Sequence, residues 1–133
     1  MADVVAFETG AVRGAEVNAT PYHMLSAIAL RRYANAMAEG TAKYGAWNWK
    51  KGFPAGSLID HIYAHIGSFL SGDTSEDHLG HALWNLATLV EQTETHPELF
   101  RELQPECVAA LCRTGLTEEH KPTFIDRRTD DVD

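Results

Sequence analysis

The sequence lacks a long hydrophobic run and contains very little cysteine. No segment approaches the ~20 consecutive apolar residues of a membrane-spanning helix, and the first residues lack a basic region followed by an apolar one. The expected location is therefore the cytoplasm, away from any membrane. The two cysteines, Cys107 and Cys112, do not form a Cys-x-x-Cys zinc motif. In a reducing compartment they are most simply small apolar side chains on a helix.

Positive charge is also scarce. The 133 residues include 11 Lys and Arg against 19 Asp and Glu, which gives a formal net charge of −8. Such a chain gains no general attraction to a nucleic-acid backbone, so binding of duplex nucleic acid is disfavoured. A small anionic ligand stays compatible, because lysines and a metal ion can locally outweigh the overall field. The length and a hydrophobic content of 44% predict one globular domain.

Helical periodicity runs through most of the chain and predicts an all-α fold without strands. The expected organisation is an irregular N-terminal arm over 1–19, a helical domain over 20–116 and a polar, mobile C-terminal tail over 117–133. Thr20 and Pro21 have the residue types that begin a helix, so the first helix is predicted over 21–39, ending at Gly40.

Two further helices each carry an apolar stripe. Ser57 is the predicted cap of the second, with Asp60 as its capping-box partner, and the third is expected to run to about Gln92. The stripes consist of Leu58, Ile59, Ile62, Tyr63, Ile66, Phe69 and Leu70 on the second helix, and Leu79, Ala82, Leu83, Leu86, Leu89 and Val90 on the third. Packing of these stripes in an antiparallel pair would bring the polar flanks to the rim of one groove. Pro97 and Pro105 each predict the start of a shorter helix.

Four of the seven histidines lie on these two helices. Residues three and four apart share a helix face, which produces two polar groups, namely His61 with His65, and Asp77, His78 and His81 with Asn85. Imidazole, carboxylate and amide oxygen are groups that bind divalent metals. A single histidine beside a core is more often structural, and Glu76 and Asp77 would ordinarily cap the third helix or offset its dipole. Asp73 fits either role.

The loop before the second helix is the other segment rich in side chains that could bind a ligand. Tyr44, Trp47 and Trp49 offer flat faces for stacking a base, and Asn48 can donate to and accept from a base edge. The lysines suited to phosphates are Lys43, Lys50 and Lys51. An equally weighted interpretation places one tryptophan in the core and leaves the lysines in solvent.

Several motifs together resemble the dATP/dGTP diphosphohydrolase family, which is common in bacteriophages and related to the MazG-like nucleotide pyrophosphohydrolases. They are Phe7-Glu-Thr-Gly-Ala-Val-Arg13, Lys43-Tyr-Gly45, Asn48-Trp49, Gly52, His65 with Gly72-Asp73, and His78-Leu-Gly-His81-x-x-x-Asn85. The resemblance covers about residues 6–92. It implies a MazG-like antiparallel helical bundle, a homo-oligomer, and cleavage of a purine deoxynucleoside triphosphate to the monophosphate and pyrophosphate. The broader MazG-like proteins hold magnesium with a Glu-x-x-Glu and a later Glu-x-x-Asp. Here His78-x-x-His81 stands where the second pair belongs, and the only Glu-x-x-Glu in that region is Glu91 to Glu94, near the helix end.

The resulting hypothesis is metal-dependent attack of water on the α-phosphorus of dATP or dGTP, with Mg²⁺ as the metal and Mn²⁺ or another transition metal as an alternative. The predicted site has three parts: the metal-binding residues Asp73, His78, His81 and Asn85; the catalytic residues His65, as ligand or base, and Lys43; and the substrate-binding residues Tyr44, Asn48, Trp49 and Lys51. The main alternative is a non-catalytic nucleotide-binding or interaction module on the same helices. A structural zinc protein ranks last, because neither cysteine is near the histidines.

Overall fold

The structure is a computed structural model that describes residues 3–15 and 20–113. Two compact units divide these residues between Leu25 and Ser26. The first unit contains a short antiparallel hairpin, with β1 at Val4–Ala6 and β2 at Val12–Gly14. The expectation of an irregular arm without strands is therefore wrong for this segment. Three-residue strands are too short to show the alternation by which a strand is recognised in sequence.

The first helix, α1, spans Ala27–Tyr44 and so begins and ends later than the predicted 21–39. After Pro21 the chain forms only a short 3₁₀ turn, and Ser26 caps α1 by accepting a hydrogen bond from the Ala29 amide at 3.1 Å. Gly40 lies inside the helix, where glycine is tolerated at a cost of about 1 kcal/mol. Gly45, with φ of 91°, ends it in a conformation that favours glycine.

The next two helices are α2 at Ala55–Leu70 and α3 at His78–Thr95, and α3 packs against both α2 and α1. The predicted cap at Ser57 is wrong, because α2 begins two residues earlier, directly after Pro54. At the other end, α3 continues beyond the predicted Gln92. The number and order of the main helices are nevertheless those that the periodicity predicts.

The interior of the helical unit is unusually polar. The buried apolar residues are Ala55, Leu58, Ala82 and Phe100, and the buried polar residues are His78, Asn85, Thr88 and Gln92. Much of the predicted apolar stripes instead faces solvent, including Tyr63, Phe69, Leu70, Leu86 and Val90. The predicted burial of the stripes therefore holds for Leu58 and Ala82 and is wrong for these exposed residues. Across α2 and α3, the rings of His65 and His78 also meet.

The end of the described chain follows the proline signals. A 3₁₀ helix spans Pro97–Phe100, and α4 spans Pro105–Arg113 and contains both cysteines. Cys107 is exposed and unpaired. The predicted tail over 117–133 lies outside the described residues. Among the helices of 3–15 and 20–113, none has the length and apolar character needed to cross a membrane.

Candidate functional site

Three histidines meet between α2 and α3. Nδ1 of His65 on α2 lies 3.0 Å from Nδ1 of His78 on α3, and the His65 ring is within 5.1 Å of the His81 ring, centroid to centroid. His78 is buried, while His65 and His81 are half-buried. His61, one turn before His65, is exposed, and its Nδ1 lies 2.7 Å from the Ser57 carbonyl oxygen. The structure therefore brings His65, His78 and His81 together and leaves His61 outside this group, and metal binding by His78 and His81 stays a prediction.

Glu76 completes this group, and sequence reasoning missed it. Its Oε1 lies 3.3 Å from Nδ1 of His65 and 3.2 Å from Nδ1 of His78, and its Oε2 lies 3.7 Å from Nδ1 of His81. A single metal ion could contact one ligand atom from each of His65, Glu76 and His81, because these three atoms lie within 4.8 Å of one another. The sequence offered one indication that Glu76 belongs to this group, namely its position two residues before His78. Compensation of the helix dipole explains a glutamate there equally well.

Two carboxylates contact the opposite edges of the α3 histidines. Nε2 of His78 donates to Oδ2 of Asp73 at 3.0 Å, and Nε2 of His81 donates to Oε2 of Glu39 on α1 at 2.7 Å. Asp73 also accepts from the Ser75 amide at 2.8 Å. That backbone hydrogen bond, with smaller contributions from the Ser75 hydroxyl and His78, lowers the pKa of Asp73 to about 2. Asp73 thus contacts the far side of His78, away from Glu76.

The surroundings of His65 disfavour the protonated form of its ring. Burial lowers its pKa below the ordinary value, and the nearby rings of His81 and His78 lower it further, while Glu76 acts in the opposite direction. A neutral imidazole keeps one nitrogen lone pair, which is what metal ligation or proton acceptance requires.

Asp77 contacts the start of α3 and the neighbouring α1. It accepts from the Gly80 amide at 3.0 Å as the cap of α3, and its Oδ2 accepts from Nε of Arg32 on α1 at 2.8 Å. The Arg32 guanidinium holds the pKa of Asp77 well below its usual range. A Cβ at Gly80 would collide with the Asp77 side chain, so the glycine permits this packing of α3 beside α1. Asp77 therefore has the capping role that its position predicts.

A cleft of about 340 Å³ adjoins the histidine group, between the end of α1, the following loop, α2 and α3. Its lining includes seven of the ten predicted site residues: Lys43, Tyr44, Asn48, Trp49, His65, His81 and Asn85. Asp73, His78 and Lys51 do not line it. Asn85 is buried, and its Nδ2 donates to the His81 carbonyl oxygen at 2.8 Å within α3. The structure thus brings the aromatic loop and the histidine group to one concave surface.

The loop that carries Asn48 and Trp49 is held by specific contacts. Oε1 of Gln92 accepts from the Phe53 amide at 2.6 Å, and Nε2 of Gln92 donates to the Phe53 carbonyl oxygen at 2.8 Å. Nζ of Lys50 lies over the rings of Trp47 and Trp49, at 5.2 and 5.5 Å from their centroids. These contacts anchor the short 3₁₀ helix Asn48–Lys51 at the mouth of the cleft.

The features described above define a helical protein with a candidate metal centre at the edge of a cleft. The family model for the dATP/dGTP diphosphohydrolase, N-terminal, matches residues 9–101, well over half of the chain. The chain belongs to this family, which confirms the resemblance predicted from its motifs and agrees with the mainly helical fold. No curated protein and no solved structure matches it.

Proposed function

We propose that this protein hydrolyses purine deoxynucleoside triphosphates, dATP or dGTP, to the monophosphate and pyrophosphate with a divalent metal. The observation that carries the proposal is the cleft, which joins an aromatic, lysine-bearing loop to a group of imidazole and carboxylate ligands. The family's description adds a nucleotide and a diphosphohydrolase reaction at the level of the whole family.

The loop side of the cleft suits the nucleoside. Tyr44 and Trp49 present rings on which a base can stack, and Asn48 beside them can pair with a base edge through its amide. Lys43 lines the same cleft and is placed to meet phosphate oxygens. Lys51 lies on the same 3₁₀ helix but outside the lining, so its predicted phosphate contact is a further part of the proposal.

The histidine side suits the triphosphate. The residues present fit a divalent metal, because His65, Glu76 and His81 bring imidazole and carboxylate ligand atoms to within 4.8 Å of one another. When bound, the metal would neutralise phosphate charge and acidify a water molecule. In the reaction, the water oxygen bonds to the α-phosphorus and the bond to the oxygen shared with the β-phosphorus breaks. Lys43 stabilises the charge that develops on the leaving pyrophosphate.

The proton of the attacking water needs an acceptor, and His61 is the residue that we assign to it. It lines the cleft, and its Nδ1 lies 2.7 Å from the Ser57 carbonyl oxygen. Donation of Nδ1–H to that oxygen leaves a lone pair on Nε2, as a general base requires. His65, predicted as either ligand or base, then serves as a ligand, because its Nδ1 faces the other ligand atoms.

The direct test is a nucleotide panel. Purified protein is incubated with each dNTP and NTP in the presence of Mg²⁺ or Mn²⁺, and monophosphate and pyrophosphate are quantified. We expect both products from dATP or dGTP and a loss of turnover in His65→Ala. Absence of product from folded protein with every nucleotide and metal would contradict the proposal. Nucleotide binding without hydrolysis would instead identify the binding module, which the missing acidic pairs favour.

We also propose that the protein self-associates. The large apolar side chains that α2 and α3 expose would be covered by a second copy of the chain.

A further inference from the structure

We propose that the three histidines and Glu76 form a site for a transition metal, in preference to Mg²⁺, with Asp73 and Glu39 as the groups that orient two of the rings. The ligand set would be Nδ1 of His65, His78 and His81 together with the Glu76 carboxylate. The inference rests on the proposed function for the purpose of the metal, but it concerns binding and is tested without nucleotide.

The hydrogen bonds to Asp73 and Glu39 determine which nitrogen of each ring is available. A carboxylate can only accept, so Nε2 of His78 carries a hydrogen for Asp73, and Nε2 of His81 carries one for Glu39. In the neutral rings, Nδ1 is then the atom with the lone pair. Both Nδ1 atoms face Glu76, at 3.2 and 3.7 Å from its oxygens. In neutral rings these lone pairs point at the carboxylate, and a metal cation between them would turn the repulsion into shared ligation.

The distances fit one shared ion. Ligand atoms about 2.1 Å from the same ion lie roughly 3.0 to 3.4 Å apart in octahedral or tetrahedral sites. The triangle formed by Nδ1 of His65, Nδ1 of His78 and Oε1 of Glu76 has sides of 3.0, 3.3 and 3.2 Å. His78 is only 6% exposed, so this triangle is anchored in the interior of the helical unit. Histidine ligands whose second nitrogen donates to a carboxylate are a recurrent arrangement in metal sites.

The composition of the set determines the class of metal. Imidazole nitrogen binds Mn²⁺, Fe²⁺, Co²⁺ and Zn²⁺, with affinities that rise along the first transition row, whereas Mg²⁺ is held mainly by oxygen ligands and water. Only Glu76 offers an oxygen within the group. Asp73 and Glu39 contact the outer nitrogens of their rings, so they orient ligands and do not themselves face the ion.

Titration of metal-free protein with Co²⁺ and Mg²⁺, followed by calorimetry and by the visible spectrum of Co²⁺, tests the site. We expect one Co²⁺ per chain, a spectrum that changes with nitrogen ligation, and binding of Mg²⁺ at least ~100-fold weaker. Pulsed electron paramagnetic resonance of bound Mn²⁺ should show imidazole nitrogen in the unmodified protein, which does not depend on any variant. Equal affinity for Mg²⁺ and Co²⁺, or no nitrogen coupling, would overturn the proposal.

Variants separate the roles within the site. His65→Ala and His81→Ala should each weaken Co²⁺ binding by more than ~10-fold, and Asp73→Asn and Glu39→Gln by about 10-fold, as for other orienting groups. Asp60→Asn removes an exposed carboxylate from α2 and should bind Co²⁺ as the unmodified protein does. A loss in this control equal to that in His81→Ala would overturn the assignment.

The metal result and the proposed reaction can fail separately. Protein that binds Co²⁺ in this way but hydrolyses no nucleotide would remove the proposed function and keep the site. Hydrolysis that depends on Mg²⁺, from protein that binds no Co²⁺, would do the reverse.

Discussion

Asp77 joins two helices through one side chain. Its carboxylate caps α3 at the Gly80 amide and pairs with Arg32 on α1. We expect Asp77→Asn to retain most of the cap and lose the ion pair, which is part-exposed and contributes about 1 kcal/mol or less. Asp77→Ala should cost about 1 kcal/mol more, because the capping oxygen is lost as well. Urea unfolding of both variants and of Asp60→Asn measures the difference. Equal losses in the two Asp77 variants would contradict the capping role.

The loss of folding stability at acidic pH should depend on Asp73. Its pKa of about 2 lies below the value near 3.9 expected in the unfolded chain. A carboxyl of this kind stabilises the fold above the unfolded pKa, and its contribution is lost as the pH falls through the folded pKa. The free energy of unfolding of metal-free protein should therefore decline between about pH 4 and pH 2, and less steeply in Asp73→Asn. Unfolding curves at several pH values compare the two, and parallel declines would contradict the prediction.

At the scale of single residues, seven of the ten predicted site residues line the cleft, and Glu76 was not among those predicted. Helical spacing was enough to place His65, His78 and His81 near one another, because α2 and α3 meet on the faces that carry them. Glu76 was missed because its contacts to these rings come from the path of the turn before α3, which periodicity does not describe. The same turn places Asp73 behind His78.

At the scale of the elements, the conformation of the segment before α2 depends on a side chain of α3 that is distant in sequence. Gln92 on α3 makes two hydrogen bonds to the Phe53 backbone, and its side chain is buried. Gln92→Ala should lower the free energy of unfolding by about 1 to 3 kcal/mol, because both Phe53 groups lose their partner. It should also raise KM for the nucleotide, since Asn48 and Trp49 lie just before Phe53. Chemical unfolding and steady-state kinetics measure the two effects.

The matched control for this prediction is Gln104→Ala, which removes an exposed glutamine. We expect it to leave both quantities close to those of the unmodified protein. A Gln92→Ala protein with unchanged stability would show that the contacts to Phe53 do not support the loop.

The helices themselves were easier to predict than the faces through which they pack. Proline and the hydrophobic period placed α2, α3 and α4 to within a few residues. The prediction that the whole stripes are buried was wrong, because the sequence pattern shows which apolar residues share a helix face and does not show what that face packs against. Leu86 and Val90 align on α3 as a core would, yet both face solvent in the single chain.

The whole molecule should be an oligomer if those side chains meet a second copy. We expect sedimentation or light scattering to give a mass above that of one chain, and Leu70→Lys to reduce the association. Leu70 is 76% exposed, so a lysine there is accommodated in the single chain. Asp60→Lys on the same helix is the control that changes charge without removing apolar surface. A monomeric unmodified protein at micromolar concentration would contradict the proposal.

In the polar interior of the helical unit, selection for stability would act against retention of the buried polar residues. Four of the buried positions of α3 are occupied by polar residues, namely His78, Asn85, Thr88 and Gln92. Selection for heat tolerance alone would favour leucine or valine there, because well-packed apolar side chains often equal or exceed buried polar groups in stabilising a fold. A lineage under such selection would gain stability while losing the contact of His78 with His65 and the hydrogen bonds of Gln92 to Phe53. Thermal adaptation in this family should therefore act on the outward surfaces of the helices.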